Sequence, residues 1–175
     1  QFWVRINLLG CCHQGGIRHY AEGEMTSTRH YTSLTDALQP FKDSPLMGEP
    51  GTKAQYSSYG YNLLGSAVEG ASGVSFVDFL RKNIFERAGM TRTQTDDLLE
   101  IIPGRAAGYF KDEAGRHRNS PLSDTSGKIP GGGLCGTVMD VAHFGAAYID
   151  GALVRPETVQ RMLTRQKTRD GKVTG

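Results

Sequence analysis

Glu49-Pro50-Gly51-Thr52-Lys53-Ala54-Gln55-Tyr56-Ser57-Ser58-Tyr59-Gly60-Tyr61-Asn62-Leu63-Leu64-Gly65 is the stretch from which the fold is read. Pro50-Gly51 turns the chain, because proline presets φ and glycine accepts a left-handed conformation. A short extended piece then delivers Tyr56 just ahead of a helix, with Ser57 or Ser58 as its N-cap. Leu63, Leu64, Ala67, Val68 and Ala71 recur at helical spacing and are expected to form its apolar face. Gly73 fits the position just past its end. The first turn of a helix carries unpaired N–H groups and the positive end of the dipole. A phenol held there beside a cation is a candidate general base, although the same placement also suits a purely structural ring. Tyr59 and Tyr61 are read as core aromatics with satisfied hydroxyls.

Working outward, residues 4–12 read as the end of a helix that His13-Gln14-Gly15-Gly16 stops. Residues 19–32 are polar and aperiodic, hence a loop. Ser33 caps a helix whose stripe is Leu34, Ala37, Leu38 and Phe41. Ser75 and Asp78 form a capping box for a helix with Phe76, Phe79, Leu80 and Ile84 inward, ended by Gly89. Periodicity is lost from Thr91 to Pro103. Gly108–Lys111 and His117–Asn119 flank Asp112-Glu113-Ala114-Gly115 as a short hairpin. Ser120–Gly133 reads as a loop. Thr137 and Asp140 cap a helix to about Asp150, with Val138, Val141, Ala142, Tyr148 and Ile149 apolar. Pro156 opens a last helix with Val159, Met162 and Leu163 inward.

Composition narrows the function classes. The 175 residues include 22% charged side chains and carry a net charge of +2, so neither a disordered tail nor a nucleic-acid binder is indicated. No apolar run approaches the ~18 residues of a membrane span. Three cysteines without a C-x-x-C pattern, and histidines without ligand spacing, point to no metal site and no cofactor. The cysteines are expected to be small buried hydrophobes. Glycine is in excess, at 23 residues. Gly65, Gly70 and Gly145 fall inside helical runs, where each costs up to ~1 kcal/mol relative to alanine, and so point to tight packing or a nearby site. Gly131-Gly132-Gly133 is read as a turn for close packing. A phosphate cradle lacks both the Gly-x-x-x-x-Gly-Lys pattern and a strand–glycine–helix context.

Pro50-Gly51-Thr52, Tyr56-Ser57-Ser58 and Gly60-Tyr61-Asn62-Leu63-Leu64-Gly65 together resemble the second motif of the serine β-lactamase-like family. That family includes class C β-lactamases, penicillin-binding DD-peptidases and esterases. His13–Tyr20 resembles its His-x-Ser-Gly-Ile stretch. Ile84–Thr91 resembles Ile-Phe-x-Pro-Leu-Gly-Met. Gly131–Thr137 with Asp140 resembles Ala-Gly-Gly-Leu-x-Ser-Thr-x-x-Asp. The phrases Ile17–Tyr20 and Ser123–Gly133 are most similar to the β-lactamase-like protein subgroup. Four matches in order along the chain are more specific than any one of them.

The resemblance implies an α+β, β-lactamase/transpeptidase-like fold. Residues 1–175 would be a partial domain: mainly the helical lobe with a short β-hairpin, lacking most of the antiparallel sheet. It implies a serine that attacks an ester, peptide or β-lactam carbonyl and forms an acyl-enzyme. Tyr56 matches the catalytic tyrosine. Ser58 stands where the family usually has a substrate-binding Asn, and its single hydroxyl replaces an amide that both donates and accepts. Ser57 would face away and need no role. The nucleophile motif Ser-x-x-Lys is absent from the 175 residues, and no strand among them carries the later Lys/His-x-Gly motif. Thr125-Ser126-Gly127-Lys128 has the spacing with threonine but falls after Tyr56, on the wrong side of it. Cys11-Cys12 stands as a two-residue insertion that has no physical account.

The expected function is therefore part of a serine hydrolase acting on a small-molecule or peptide substrate, inactive as this piece, with its nucleophile upstream of Gln1. The alternative is a non-catalytic binding or self-assembling member. Bacterial members are often exported, periplasmic or secreted, which fixes no compartment for this chain. Phe76, Phe79 and other stripe residues are expected to be exposed where elements outside the piece would cover them.

Overall fold

The computed structural model describes residues 9–174. Residues 9–11 are helical, and the part of the predicted 4–12 helix before residue 9 lies outside the described residues. The elements in order are α1 (Leu34–Ala37), α2 (Ser58–Ser72), α3 (Phe76–Ala88), β1 (Gln94–Thr95), β2 (Tyr109–Lys111), β3 (His117–Asn119), α4 (Ile129–Gly132), β4 (Leu134–Cys135), α5 (Val138–Ile149) and α6 (Pro156–Leu163). Two small antiparallel sheets, β1–β4 and β2–β3, complete the described architecture.

The helix starts obey local chemistry. Ser33, Ser57, Ser75 and Thr137 each accept a hydrogen bond from the backbone N–H three residues on, which satisfies an otherwise orphan donor. Ser57, rather than Ser58, is the cap of α2. Its role is structural: the Ser57 hydroxyl accepts from Gly60 N–H at 2.9 Å and donates to the Arg18 carbonyl at 2.8 Å. At the other end Gly73 adopts φ 73° and closes α2 in the left-handed conformation. The hairpin pairs Tyr109 with Asn119 and Lys111 with His117, as the sequence pattern predicts.

The inward face of α2 is not the apolar one. Ser58, Tyr59, Gly60, Asn62 and Gly65 are its buried residues, whereas Leu63 is 38% exposed. Leu63, Leu64 and Ala67 instead line a cavity of about 270 Å³ together with His13 and Ile17. The reason is steric. A Cβ on Gly65 would collide with Pro130 Cγ and lie 2.8 Å from Pro130 Cβ, so α4 packs at backbone distance where only glycine fits. Asn62, fully buried, donates from Nδ2 to the Gly127 carbonyl at 2.6 Å. Around this seam sit the buried Leu34, Ala37, Phe41 and Tyr59, with Phe41 stacked on Tyr59 at 4.3 Å.

Other expectations shift for similar reasons. α3 contains a π-helical turn over Arg81–Phe85, whose extra residue per turn rotates the stripe. Phe85 becomes the buried residue of that helix, while Phe76, Phe79, Leu80 and Ile84 are half-buried. Phe76 and Phe79 are therefore not the exposed residues expected. Exposure falls on α5 and α6: Val138, Val141 and Ile149 are 81%, 66% and 78% exposed, and Met162 and Leu163 point outward. The residue of α5 that is buried is Asp140, which accepts from Arg92 N–H at 2.8 Å and Thr93 Oγ1 at 2.7 Å. The loop expected over Ser120–Gly133 contains a 3-10 turn, Ser126–Lys128, and α4. Cys11 is exposed, and Cys12 and Cys135 are half-buried, so the expected burial of the cysteines is not observed. No single helix among the described residues is long and apolar enough to cross a membrane.

The in-helix glycines separate into two kinds. A Cβ added to Gly70 or Gly145 would meet nothing within 4 Å, unlike one on Gly65. Gly65→Ala is expected to destabilise by ~1–3 kcal/mol through overpacking against Pro130. Gly70→Ala is expected to stabilise by ~0.5–1 kcal/mol through helix propensity alone. Urea denaturation of the two variants checks the opposite signs.

Candidate active site

Tyr56 precedes the extended N-cap Ser57 of α2 and is 62% exposed. Two imidazoles pack on its ring. The His13 ring centroid is 4.6 Å away, and the His19 ring meets it edge-on at 5.1 Å. The same imidazoles hold the backbone that follows. Ser57 N–H donates to His13 Nδ1 and Ser58 N–H donates to His19 Nδ1, each at 3.2 Å. Residues 13–19 thus run beside 55–58 as a splint, which Gln55 N–H joins by donating to the His13 carbonyl at 2.8 Å.

The local sequence explains the splint. The chain leaves its first helical turn at His13, which takes φ 55°, and Gly16 follows at φ 71°. The left-handed residue at the stop is therefore a histidine, where the sequence pattern assigns that role to the paired glycines. A non-glycine residue there costs on the order of 1–2 kcal/mol of steric strain. Gly16 is needed for a different reason: a Cβ would lie 2.6 Å from the Gly48 carbonyl oxygen. The turn through Pro50-Gly51 is held by Gly51 N–H donating to the Gln14 carbonyl.

Ser58 is brought next to Tyr56 in sequence but is placed differently. It is buried, at 6% exposure, and its carbonyl lies 3.1 Å from where a Gly131 Cβ would be. Burial pushes the neighbouring Tyr20 phenol up, with a hydrogen bond from Ser58 opposing. Tyr59 and Tyr61 are structural, as read from the sequence: Tyr59 is buried, and Tyr61 Oη donates to the Cys11 carbonyl at 3.0 Å. Burial, and then the hydrogen bond with Glu24, push the Tyr59 phenol up.

Behind the tyrosines lies a charged pair that no motif signals. Arg18 donates to both Glu24 carboxylate oxygens, at 2.8 and 3.0 Å, and to Ser44 Oγ at 2.9 Å. The Arg18 guanidinium holds the Glu24 carboxyl down to about 2. Lys128 donates to Ser123 Oγ at 2.6 Å and to the Met25 carbonyl, and burial pushes its ammonium down. Thr125 Oγ1 donates to the Asp96 carbonyl instead, so the Thr-x-x-Lys spacing does not bring these two groups together. Asp124 is buried against His30, Oδ2 to Nδ1 at 2.9 Å. Among the described residues no group of three or more His, Cys, Asp or Glu side chains is arranged to hold a metal ion.

Comparison with known proteins identifies the family and the fold. Residues 11–175 match the family described as Beta-lactamase. The human mitochondrial serine beta-lactamase-like protein LACTB is 35% identical over 132 residues, 75% of this chain and 24% of that protein. The chain thus spans about a quarter of that relative's length. A D-amino acid amidase from Ochrobactrum anthropi SV3, solved with D-phenylalanine, superposes with a TM-score of 0.73 at 26% identity, over 89% of this chain and 46% of that one. A penicillin-binding protein from Bacillus halodurans superposes with a TM-score of 0.74 over 95% and 59% of the respective chains, at 24% identity. The fold is that of β-lactamases and transpeptidases, of which these residues form the mainly helical part.

The Arg18–Glu24 pair predicts a pH dependence. The Glu24 carboxyl is depressed from 4.5 to about 2, so its stabilisation is complete above 4.5 and is lost as pH falls toward 2. The contribution is on the order of 1–2 kcal/mol once solvent screening of this partly exposed pair is included. Chemical denaturation as a function of pH should show the wild type above Glu24→Gln at neutral pH. The two curves should converge in acid.

Proposed function

The chain belongs to the Beta-lactamase family, and on that footing we propose that it supplies the tyrosine-bearing helical part of a serine acyl-transfer site. The reaction is attack of a serine hydroxyl on an ester, peptide or β-lactam carbonyl, followed by hydrolysis of the acyl-enzyme. The serine and lysine of the family's Ser-x-x-Lys motif are not among the 175 residues, so these residues alone hydrolyse nothing. The observation that carries the reading is Tyr56 itself: an exposed phenol at the head of a 15-residue helix, with its ring braced on two sides.

In this role Tyr56 takes the proton of the attacking hydroxyl and returns it to the leaving group. Proton transfer of this kind contributes ~100-fold or more. Ser58 contributes on the substrate side of Tyr56. Its burial and its short hydroxyl support a weaker hold on a substrate amide than the family's usual Asn gives. The substrate class is a small molecule or peptide with an acyl bond. The solved D-amino acid amidase, crystallised with D-phenylalanine, supports an amide as one member of that class.

The test uses the full-length protein that carries these residues. A nitrophenyl ester should be turned over, and a fluorescent penicillin should label the protein covalently. Tyr56→Phe should lower ester turnover by ~100-fold. The 175-residue chain should show no hydrolysis above its own Tyr56→Phe control. A full-length protein that is never labelled and turns over no ester would instead support a non-catalytic, binding or self-assembling member.

A further inference from the structure

We propose that His13 and His19 are positioning residues for Tyr56, each acting through a neutral Nδ1 that accepts one of the two consecutive backbone N–H groups after it. The inference rests on the reading of Tyr56 as the proton-transfer group, and it deepens that reading. Two independent features carry it. Ser57 and Ser58 N–H donate to His13 Nδ1 and His19 Nδ1, each at 3.2 Å. Both rings also pack on the Tyr56 ring, at 4.6 and 5.1 Å. A single imidazole near a tyrosine is commonplace, whereas two that take successive amides and pack on the same ring make a clamp.

The His13 backbone supports the same conclusion. Its left-handed φ of 55° is unusual for a residue with a side chain. Gly would suit that backbone better, yet the residue present is one whose ring reaches Ser57 and packs on Tyr56. The first turn of α2 already uses Ser57 Oγ to satisfy Gly60 N–H. The histidines extend the capping to two donors that the helix and its cap leave unpaired.

An acceptor at Nδ1 fixes the tautomer: the proton must sit on Nε2 in both rings. Protonating Nδ1 turns each acceptor into a donor that faces another N–H. The groups around His13 are Tyr56, Tyr61, His19 and the backbone of Ser57. Around His19 they are His13, Tyr20, Tyr56 and the backbone of Ser58, and Tyr20 in turn faces Lys128 and Glu24. Among these aromatic and hydrogen-bonded partners of the two imidazoles there is no carboxylate that would stabilise a proton on His13. Burial also holds His13 below the usual histidine range. As pH falls through the imidazole range, the clamp should open and release Tyr56.

The decisive measurement is nitrogen-15 NMR of the 175-residue chain across the imidazole titration range. Both histidines should show the Nε2–H tautomer at neutral pH, and the Ser57 and Ser58 amides should shift in step with imidazole protonation. A Nδ1–H tautomer in either ring, or amides that do not follow the titration, would overturn the clamp. Variants give a second arm that does not rely on the wild-type spectrum. Asn places an acceptor two bonds from Cβ, where Nδ1 lies, whereas Gln places it one bond further. In the full-length protein, His13→Asn keeps the acceptor but loses the ring contact with Tyr56, and should lower kcat by less than His13→Gln does. His13→Gln should lower kcat at least ~10-fold with little change in KM, as a misplaced reacting group does. Equal loss in both variants would reject the role. If Tyr56→Phe leaves turnover intact while the NMR result holds, the proposed function fails and the clamp stands.

Discussion

The wholly buried amide of Asn62 is the constraint from which the rest of the molecule follows. A buried amide must be hydrogen-bonded or it costs ~1–3 kcal/mol. Asn62 meets that demand at Nδ2 by donating to the Gly127 carbonyl, while its buried Oδ1 has no protein partner, and the bond draws the Ser126–Gly133 segment onto α2. Pro130 then lies against Gly65, so close that a methyl group would not fit. The inner face of α2 is accordingly small and polar. Its leucines are turned toward the cavity shared with His13 and Ile17.

With α2 held along its length, its N-terminus becomes a fixed platform. Residues 13–19 are tied to it by the Ser57 hydroxyl, by two imidazoles and by backbone pairing at Gln55. Tyr56 is exposed and yet braced, an arrangement suited to a group that must meet a substrate in one orientation. Behind it, Phe41, Tyr20 and Tyr59 pack together. The Arg18–Glu24 pair closes that wall with opposite charges that neutralise each other. Ser58 is part of this support as much as of the site surface.

Much of this is legible in the order of residues alone. Ser33, Ser75 and Thr137 read as caps because their side chains compete locally for backbone N–H groups, and that chemistry involves only neighbours. Gly73, Gly89 and Gly151 read as helix stops for the same local reason. Tyr56 and Ser58 are recognisable through motif order. What escapes is non-local. β1 and β4 have two residues each and pair across a separation of about forty positions, which leaves no periodic trace. The π turn in α3 moves Phe85 inward without any marker in the sequence. His13 and His19 carry no ligand spacing, so only their shared approach to Tyr56 gives them meaning.

The sequence by itself determined where α2, α3 and α5 begin and end, which family the chain resembles, and that Tyr56 stands at the head of α2. These are properties of short segments, set by capping, glycine conformation and residue order. The tertiary structure alone decided which helix faces are buried, because that depends on what each face meets. A glycine that admits Pro130 and an asparagine that finds a carbonyl outranked a stripe of leucines. It also decided that two histidines, 6 positions apart, converge on one tyrosine. Hydrogen bonds act only at contact distance, and contact between distant segments exists only once the chain has folded.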